Sequence, residues 1–137
     1  MSAGAVQHNQ LAVLRGAAAP VLTRWLYLPD DPFTVTVAIN TPSGHWVEWA
    51  FARDLLIDGL AAPAGIGDIR LWPRRDQDRR TLVVEIESPD GYACLEAELD
   101  PLEEFVRATM DAVPVGTESD MLDLDLEIAQ ITGSRAD

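Results

Sequence analysis

The segment 47–73, VEWAFARDLLIDGLAAPAGIGDIRLWP, changes its hydrophobic period twice, and this constrains the fold more than any other feature of the chain. Residues 46–51 alternate between the two sides of an extended chain, which is the period of a β-strand. Helical spacing follows in Phe51, Leu55, Leu56 and Leu60. That helix ends before three residues that break helices, Pro63, Gly65 and Gly67. The pattern therefore predicts a strand, a short helix and a new strand in direct succession.

Strand periodicity recurs along the rest of the chain. The clearest case is residues 33–40, where apolar side chains occupy every second position. Further strands are predicted at 6–15, 21–28, 68–73, 81–87 and 92–99. The connections between successive strands are too short for crossovers, so we expect mainly antiparallel pairing.

A second helix is predicted after the last of these strands. Asp100 is placed as the N-cap, Pro101 as the first helical residue, and Glu103 completes a variant of the capping box. One apolar stripe follows, consisting of Leu102, Phe105, Val106, Thr109 and Val113. Residues 122–131 satisfy both strand and helix spacing, and we favour a short helix there. The order strands, helix, strands, helix predicts an α+β fold with a mainly antiparallel sheet.

Length and composition predict one domain over residues 1–137, with flexible ends at 1–5 and 133–137. A chain of 137 residues with 47% hydrophobic residues can bury a core without disulfides or metal. It has no apolar run long enough to span a bilayer and no secretory signal, so we expect a cytoplasmic protein without membrane insertion.

The positive charge is concentrated in one short segment. The net charge is −13, and all ten cationic residues are arginines, five of which lie between positions 70 and 80. That segment carries a net +3 and the rest of the chain −16, and we interpret the segment as a basic turn between two strands. Arginines beside Trp72 are typical of a platform for single-stranded nucleic acid, but the acidic remainder repels a polyanion. A solvated hairpin or a docking site for an acidic protein surface is favoured.

The tryptophans supply a second candidate surface. Trp46 and Trp49 have opposite parity in one strand, so one of them must point away from the core. An exposed tryptophan beside Phe51 would be a natural anchor for self-association or for a partner. The predicted interface residues are Trp46, Trp49, Phe51, Trp72, Arg74, Arg75, Arg79 and Arg80.

Catalytic chemistry is not indicated by the sequence. His8 and His45 stand in no arrangement that brings a base beside a nucleophile or a metal. Cys94 is the one cysteine and is interpreted as an inert structural thiol. We therefore predict a non-enzymatic protein with no catalytic, cofactor-binding or metal-binding residues.

Several blocks of sequence, in matching order, carry a resemblance to a known family. Besides segment 47–73 they are residues 31–33 (DPF), 88–91 (SPDG), 102–109, 113–118 (VPVGTE) and 123–125 (DLD). Over roughly residues 30–131 the chain resembles the SsgA-like proteins, small regulators of sporulation-specific cell division in mycelial actinomycetes, and it is closest to their SsgB branch.

The resemblance implies a whirly-like fold and a homotrimer. It also implies a non-enzymatic regulator that helps recruit or position the division GTPase FtsZ at septum sites in the cytoplasm, together with SsgA-type relatives. The alternative function is a single-stranded nucleic-acid-binding protein of whirly-like fold, which rests on analogy of fold and on the arginine segment.

Overall fold

A computed structural model describes residues 4–89 and 91–120 as one sheet and two helices. The strands are β1 (Val6–Leu14), β2 (Val21–Tyr27), β3 (Thr34–Asn40), β4 (Trp46–Ala52), β5 (Ala64–Ile66), β6 (Ile69–Asp76), β7 (Arg79–Ser88) and β8 (Gly91–Glu98). The helices are α1 (Arg53–Ala61) and α2 (Leu99–Ala112). The predicted short helix at 122–131 lies outside the described residues.

All the strands belong to one antiparallel sheet in the order β4-β3-β2-β1-β8-β7-β6-β5. Two meanders, β1 to β4 and β5 to β8, are joined where β1 pairs with β8, with Ala12 opposite Ala97. The two outermost strands of the described sheet are β4 and β5. This arrangement confirms the predicted α+β class and its antiparallel pairing.

One strand was not predicted from the sequence. β5 has only three residues, Ala64–Ile66, and pairs with the start of β6. Gly67 allows the turn between them because its φ is +58°, a conformation that residues with a Cβ rarely adopt. Two glycines and three paired residues give too short a pattern for period-based prediction.

The predicted basic turn at 70–80 is wrong in extent. β6 continues to Asp76 and β7 begins at Arg79, so that only Gln77 and Asp78 form the turn. Strand pairing uses backbone groups, and arginine side chains can project from either face of a hairpin without disturbing it. The arginines are therefore strand residues with fixed directions.

The predicted helix cap at Asp100 is also wrong. α2 begins at Leu99, and Glu98 occupies the N-cap position without a side-chain capping bond. Asp100 lies in the first turn, where a carboxylate still favours the positive end of the helix dipole. Its carboxylate binds Arg80 of β7 instead of the helix backbone.

Both helices pack against the same face of the sheet, here called the helix-covered face. The largest fully buried apolar or aromatic side chains are Trp25, Tyr27, Ile39, Leu56, Leu71, Leu82, Leu95 and Leu102. The predicted stripe of α2 is confirmed, since all five of its members are buried. At Gly59 of α1 a Cβ would lie 2.6 Å from the Cβ of Leu71, so glycine lets α1 approach β6 closely. Neither helix of the described residues is long and apolar enough to cross a membrane.

Candidate partner-binding surfaces

The β6–β7 hairpin divides the arginine cluster between the two faces of the sheet. Side chains alternate along each strand, so Arg70, Arg74 and Arg79 lie on the face opposite the helices, here called the outer face. Arg75 and Arg80, which are paired in the register, lie on the helix-covered side. The five arginines do not form one basic surface.

The outer-face arginines of β6 and β7 are paired with carboxylates of β7 and β8. The cross-strand salt bridges are Arg70 Nε to Glu85 Oε1 (3.3 Å), Arg74 Nη1 to Glu96 Oε1 (3.4 Å) and Arg79 Nη2 to Glu98 Oε1 (2.6 Å). Exposed ion pairs of this kind add little stability. Their effect on recognition is larger, because each one neutralises a cation that would otherwise attract an anionic ligand.

On the other side of the hairpin, Arg80 joins the sheet to α2. Its guanidinium binds Asp100 and lies 3.2 Å from the Oε1 of Glu103. Arg75 is exposed and forms no salt bridge within residues 4–89 and 91–120. Of the four arginines predicted to bind an acidic surface, Arg75 alone is unpaired in that part of the chain.

This pairing predicts that the protein does not bind single-stranded nucleic acid. A labelled oligonucleotide should give no saturable change in fluorescence anisotropy at low salt, because the glutamates beside the arginines oppose the phosphates. Replacing Glu96 and Glu98 by glutamine should weaken that opposition and serves as the matched comparison. Binding to the unaltered chain that falls steeply with added salt would contradict the prediction.

The two tryptophans of β4 lie on opposite faces, as their parity predicts. Trp46 is on the outer face with 42% of its surface exposed, and the guanidinium carbon of Arg24 lies 4.6 Å from its ring centroid. This cation–π contact holds the indole against the sheet. Trp49 is half-buried and packs against the core on the helix-covered face.

Phe51 is buried, although the sequence suggested it as a surface contact. Its ring meets Trp25 edge to face, with centroids 6.4 Å apart and planes at 88°. Trp46, and not Phe51, is the aromatic ring of β4 that reaches the outer surface. Trp72 is half-buried on the outer face, where it lines a cavity of about 460 Å³ together with Arg74 and Val13.

An apolar strip also crosses the middle of the outer face. Leu11 and Val13 of β1 are 62% and 57% exposed, and Leu22 of β2 lies opposite Leu11 in the register and is 38% exposed. Aliphatic side chains exposed side by side on a sheet mark a contact surface more often than scattered ones do. The sequence pattern does not indicate this strip, because alternation alone does not say which face of β1 is covered.

A buried ionic cluster joins the start of α1 to the end of α2, and the sequence pattern does not indicate it. Arg53 is fully buried and donates to the carbonyl oxygens of Thr109 (3.1 Å) and Val113 (2.7 Å) and to Glu118 Oε2 (2.8 Å). Its guanidinium carbon lies 5.0 Å from the ring centroid of Tyr27. The side-chain hydrogen bond from Arg53 holds the pKa of Glu118 below its ordinary value. The cluster is structural, since it is closed to solvent and satisfies the last carbonyl groups of α2.

Comparison with known proteins gives consistent matches over most of the chain. Residues 21–118 match the family model described as Streptomyces sporulation and cell division protein, SsgA. The sporulation-specific cell division protein SsgB of Frankia casuarinae is 41% identical over 120 residues, which cover 88% of this chain and 84% of that protein.

Solved structures agree with the sequence matches. The crystal structure of an SsgA-like sporulation-specific cell division protein from Thermobifida fusca has a TM-score of 0.86 at 35% identity, covering 95% of this chain and 97% of that one. A second structure has a TM-score of 0.79 at 38% identity, covering 85% and 94%. It was reported with the finding that mutations in SsgB correlate with longitudinal cell division during sporulation of Streptomyces coelicolor. With its fold, its sequence blocks and nearly its whole length shared with these proteins, the chain belongs to the SsgA family, in the SsgB branch.

Proposed function

We propose that this protein is a non-enzymatic regulator of sporulation-specific cell division that helps recruit or position FtsZ at septum sites in the cytoplasm. The observation that carries the proposal is its 41% identity, over 88% of the chain, to the sporulation-specific cell division protein SsgB of Frankia casuarinae. The link between SsgB mutations and longitudinal division in Streptomyces coelicolor supports a role in placing the septum.

The surfaces on the described part of the chain suit a protein that acts by binding. An exposed indole, an apolar strip and an unpaired arginine offer contacts for another macromolecule. The His8 ring has structural surroundings: it bonds the side chain of Gln10 and lies 6.2 Å from the ring of Phe105. The carbonyl of His45 accepts two hydrogen bonds from Thr41 within a turn.

Self-association is part of the proposal. We favour a homotrimer of whirly-like subunits that contact one another through the apolar strip of the outer face, whose alternating arginines and glutamates suit contact between identical surfaces. Several copies of one surface raise the apparent affinity for a polymer without any new contact. SsgA-type relatives would then bind the same assembly. Trp46 and Arg75 are the proposed contacts to the division machinery, since one is an exposed ring and the other a cation that forms no salt bridge within residues 4–89 and 91–120.

Co-sedimentation with FtsZ polymers tests this function. We expect the full chain to be retained with the polymer, and Trp46→Ala to weaken retention by about tenfold or more, as expected for an aromatic hot spot. Glu104→Ala, on the exposed side of α2, is the matched control and should be retained normally. Light scattering of the purified chain without FtsZ gives the number of copies in its own assembly. Lack of retention, even with membranes and SsgA-type relatives supplied, would count against direct recruitment.

A further inference from the structure

The helices leave one end of the helix-covered face open. At that end the sheet encloses a cavity of about 730 Å³, within the range of ligand-binding pockets. Its apolar wall consists of Leu14, Ile39, Val47, Trp49, Ile69, Ile86 and Ala93. These residues come from six strands and continue the core outward. The cavity is therefore an uncovered part of the hydrophobic core and accepts apolar groups.

The edge of the sheet beside this cavity is open as well. β4 pairs only with β3 among the described residues, so its other side presents backbone N–H and C=O groups. Proteins commonly protect such an edge with lysine, proline or a very short strand. β4 is seven residues long, has the sequence WVEWAFA, and carries Glu48 as its single charged residue. It is suited to pairing with another extended segment.

The edge and the cavity meet at Val47, Glu48 and Trp49, which belong to both. A strand added to β4 would direct every second side chain toward the cavity side of the sheet. Backbone hydrogen bonds would then supply affinity, and the cavity would select apolar side chains at alternate positions.

The charged residues around the opening of the cavity indicate the charge of the partner. Glu48 and Asp68 stand at the opening of the cavity, with the Glu48 side chain on the outer-face side of β4 like that of Trp46, and neither forms a salt bridge within the described residues. The nearby cation, Arg15, donates to the hydroxyl of Tyr92 at 3.3 Å. The residues around the cavity thus include two carboxylates and one guanidinium, which keeps its charge because its partner is a neutral hydroxyl, and the net negative balance favours a cationic partner.

We propose that the edge of β4 and the adjoining cavity bind an extended segment of a partner protein by strand addition, with apolar side chains in the cavity and arginine or lysine beside Glu48 and Asp68. A second copy pairing through its own β4 is disfavoured at this site, because that strand carries Glu48 as its single charged residue and supplies no cation. Residues 121–137 are disfavoured as well, because their apolar positions alternate with Asp123, Asp125 and Glu127. The proposal does not depend on whether FtsZ is that partner.

A designed peptide tests the site directly. We expect fluorescein-labelled Arg-Val-Arg-Leu-Arg-Val to bind the full chain saturably in fluorescence anisotropy at low salt. The same peptide with glutamate in place of arginine, and a version with alternate backbone nitrogens methylated, should each bind roughly tenfold more weakly. Equal binding of the methylated peptide would overturn strand addition, and equal binding of the acidic peptide would overturn the charge selection.

Two variants locate the binding to this part of the molecule. Val47→Arg places a long cation on the cavity wall at a position that is already 36% exposed, so the fold should tolerate it. It should weaken peptide binding roughly tenfold, and Glu48→Arg roughly threefold. Glu104→Arg makes the same charge change on exposed α2 and should leave binding close to normal. Circular dichroism confirms that each variant is folded.

Varying the protein concentration shows whether a second copy of the chain occupies the β4 edge instead of a partner segment. If the peptide binds only at dilutions where light scattering shows an oligomer dissociating, a second copy holds the β4 edge and the proposal fails. If the folded Val47→Arg and Glu48→Arg variants bind as the unaltered chain does, the site lies elsewhere and the proposal fails. Peptide binding without retention by FtsZ polymers would support this site and contradict the proposed function, so the two failures are separable.

Discussion

Glu118→Ala is expected to lower the free energy of unfolding by about 3–5 kcal/mol, the usual cost of removing one partner of a buried ion pair. The Glu118 carboxylate lies 2.8 Å from Arg53, and the two side chains are 7% and 0% exposed. Without the carboxylate the guanidinium stays buried with no counter-charge, and the backbone N–H of Gly116 loses its 2.8 Å acceptor. Urea titration measures the loss. Glu104→Ala, an exposed carboxylate of α2, is the control and should change stability by no more than about 0.5 kcal/mol.

The size of this effect follows from what Arg53 connects. It stands at the first position of α1 and holds the last carbonyls of α2 as well as the loop that contains Glu118. In an Arg53→Met background, Glu118→Ala should therefore cost less than it does alone, with a coupling of about 0.5–3 kcal/mol. Strict additivity of the two substitutions would show that the pair does not act as one unit.

The same pair gives a pH dependence with a definite sign. The pKa of Glu118 in the folded chain is lowered from its ordinary value of 4.5. Folding therefore stabilises the ionised carboxylate relative to the protonated form. The stability that it contributes is complete above the unfolded pKa and is lost as the pH falls through the folded one. The difference in unfolding free energy between the unaltered chain and Glu118→Ala should therefore shrink in acid. A difference that grows on acidification would contradict this assignment.

The sheet and helices were predictable where one face of an element is buried along its whole length. β3 and the stripe of α2 show full periods, and the structure confirms both. β5 was not predictable, because three residues do not establish a period. The cap of α2 was misplaced because Asp100 satisfies the capping pattern, while in three dimensions its carboxylate faces Arg80. The sequence around a helix end does not show which distant residue its side chains will contact in the folded protein.

The candidate surfaces were less predictable than the fold for the same reason. The arginines that are close together in sequence predicted a basic segment. In the folded sheet, however, Glu96 and Glu98 lie beside Arg74 and Arg79 and neutralise them. Arg53 and Glu118 are 65 residues apart and belong to no common period. Their partnership depends on how α2 crosses the sheet. The open edge of β4 likewise follows from strand order, which the sequence does not state.

Phe105→Ala is expected to lower the free energy of unfolding by about 3–5 kcal/mol. The ring is 3% exposed at the centre of the α2 stripe, on the side that packs against β1 and β7. It lies 6.2 Å from the ring of His8, so truncation removes contacts on the sheet as well as on the helix. The loss combines the transfer free energy of the ring with the cost of a cavity that rigid strands fill poorly.

Arg107→Ala provides the matched comparison, because it changes an exposed residue of the same helix to the same alanine. Alanine favours helix formation at both positions, so intrinsic propensity does not explain a difference between the two variants. A large loss at Phe105 with almost none at Arg107 would establish that α2 is held by burial of one face. Equal and small shifts in the urea midpoint would mean that the stripe does not carry the packing, and the attachment of α2 would then depend mainly on the Arg53 cluster at its end.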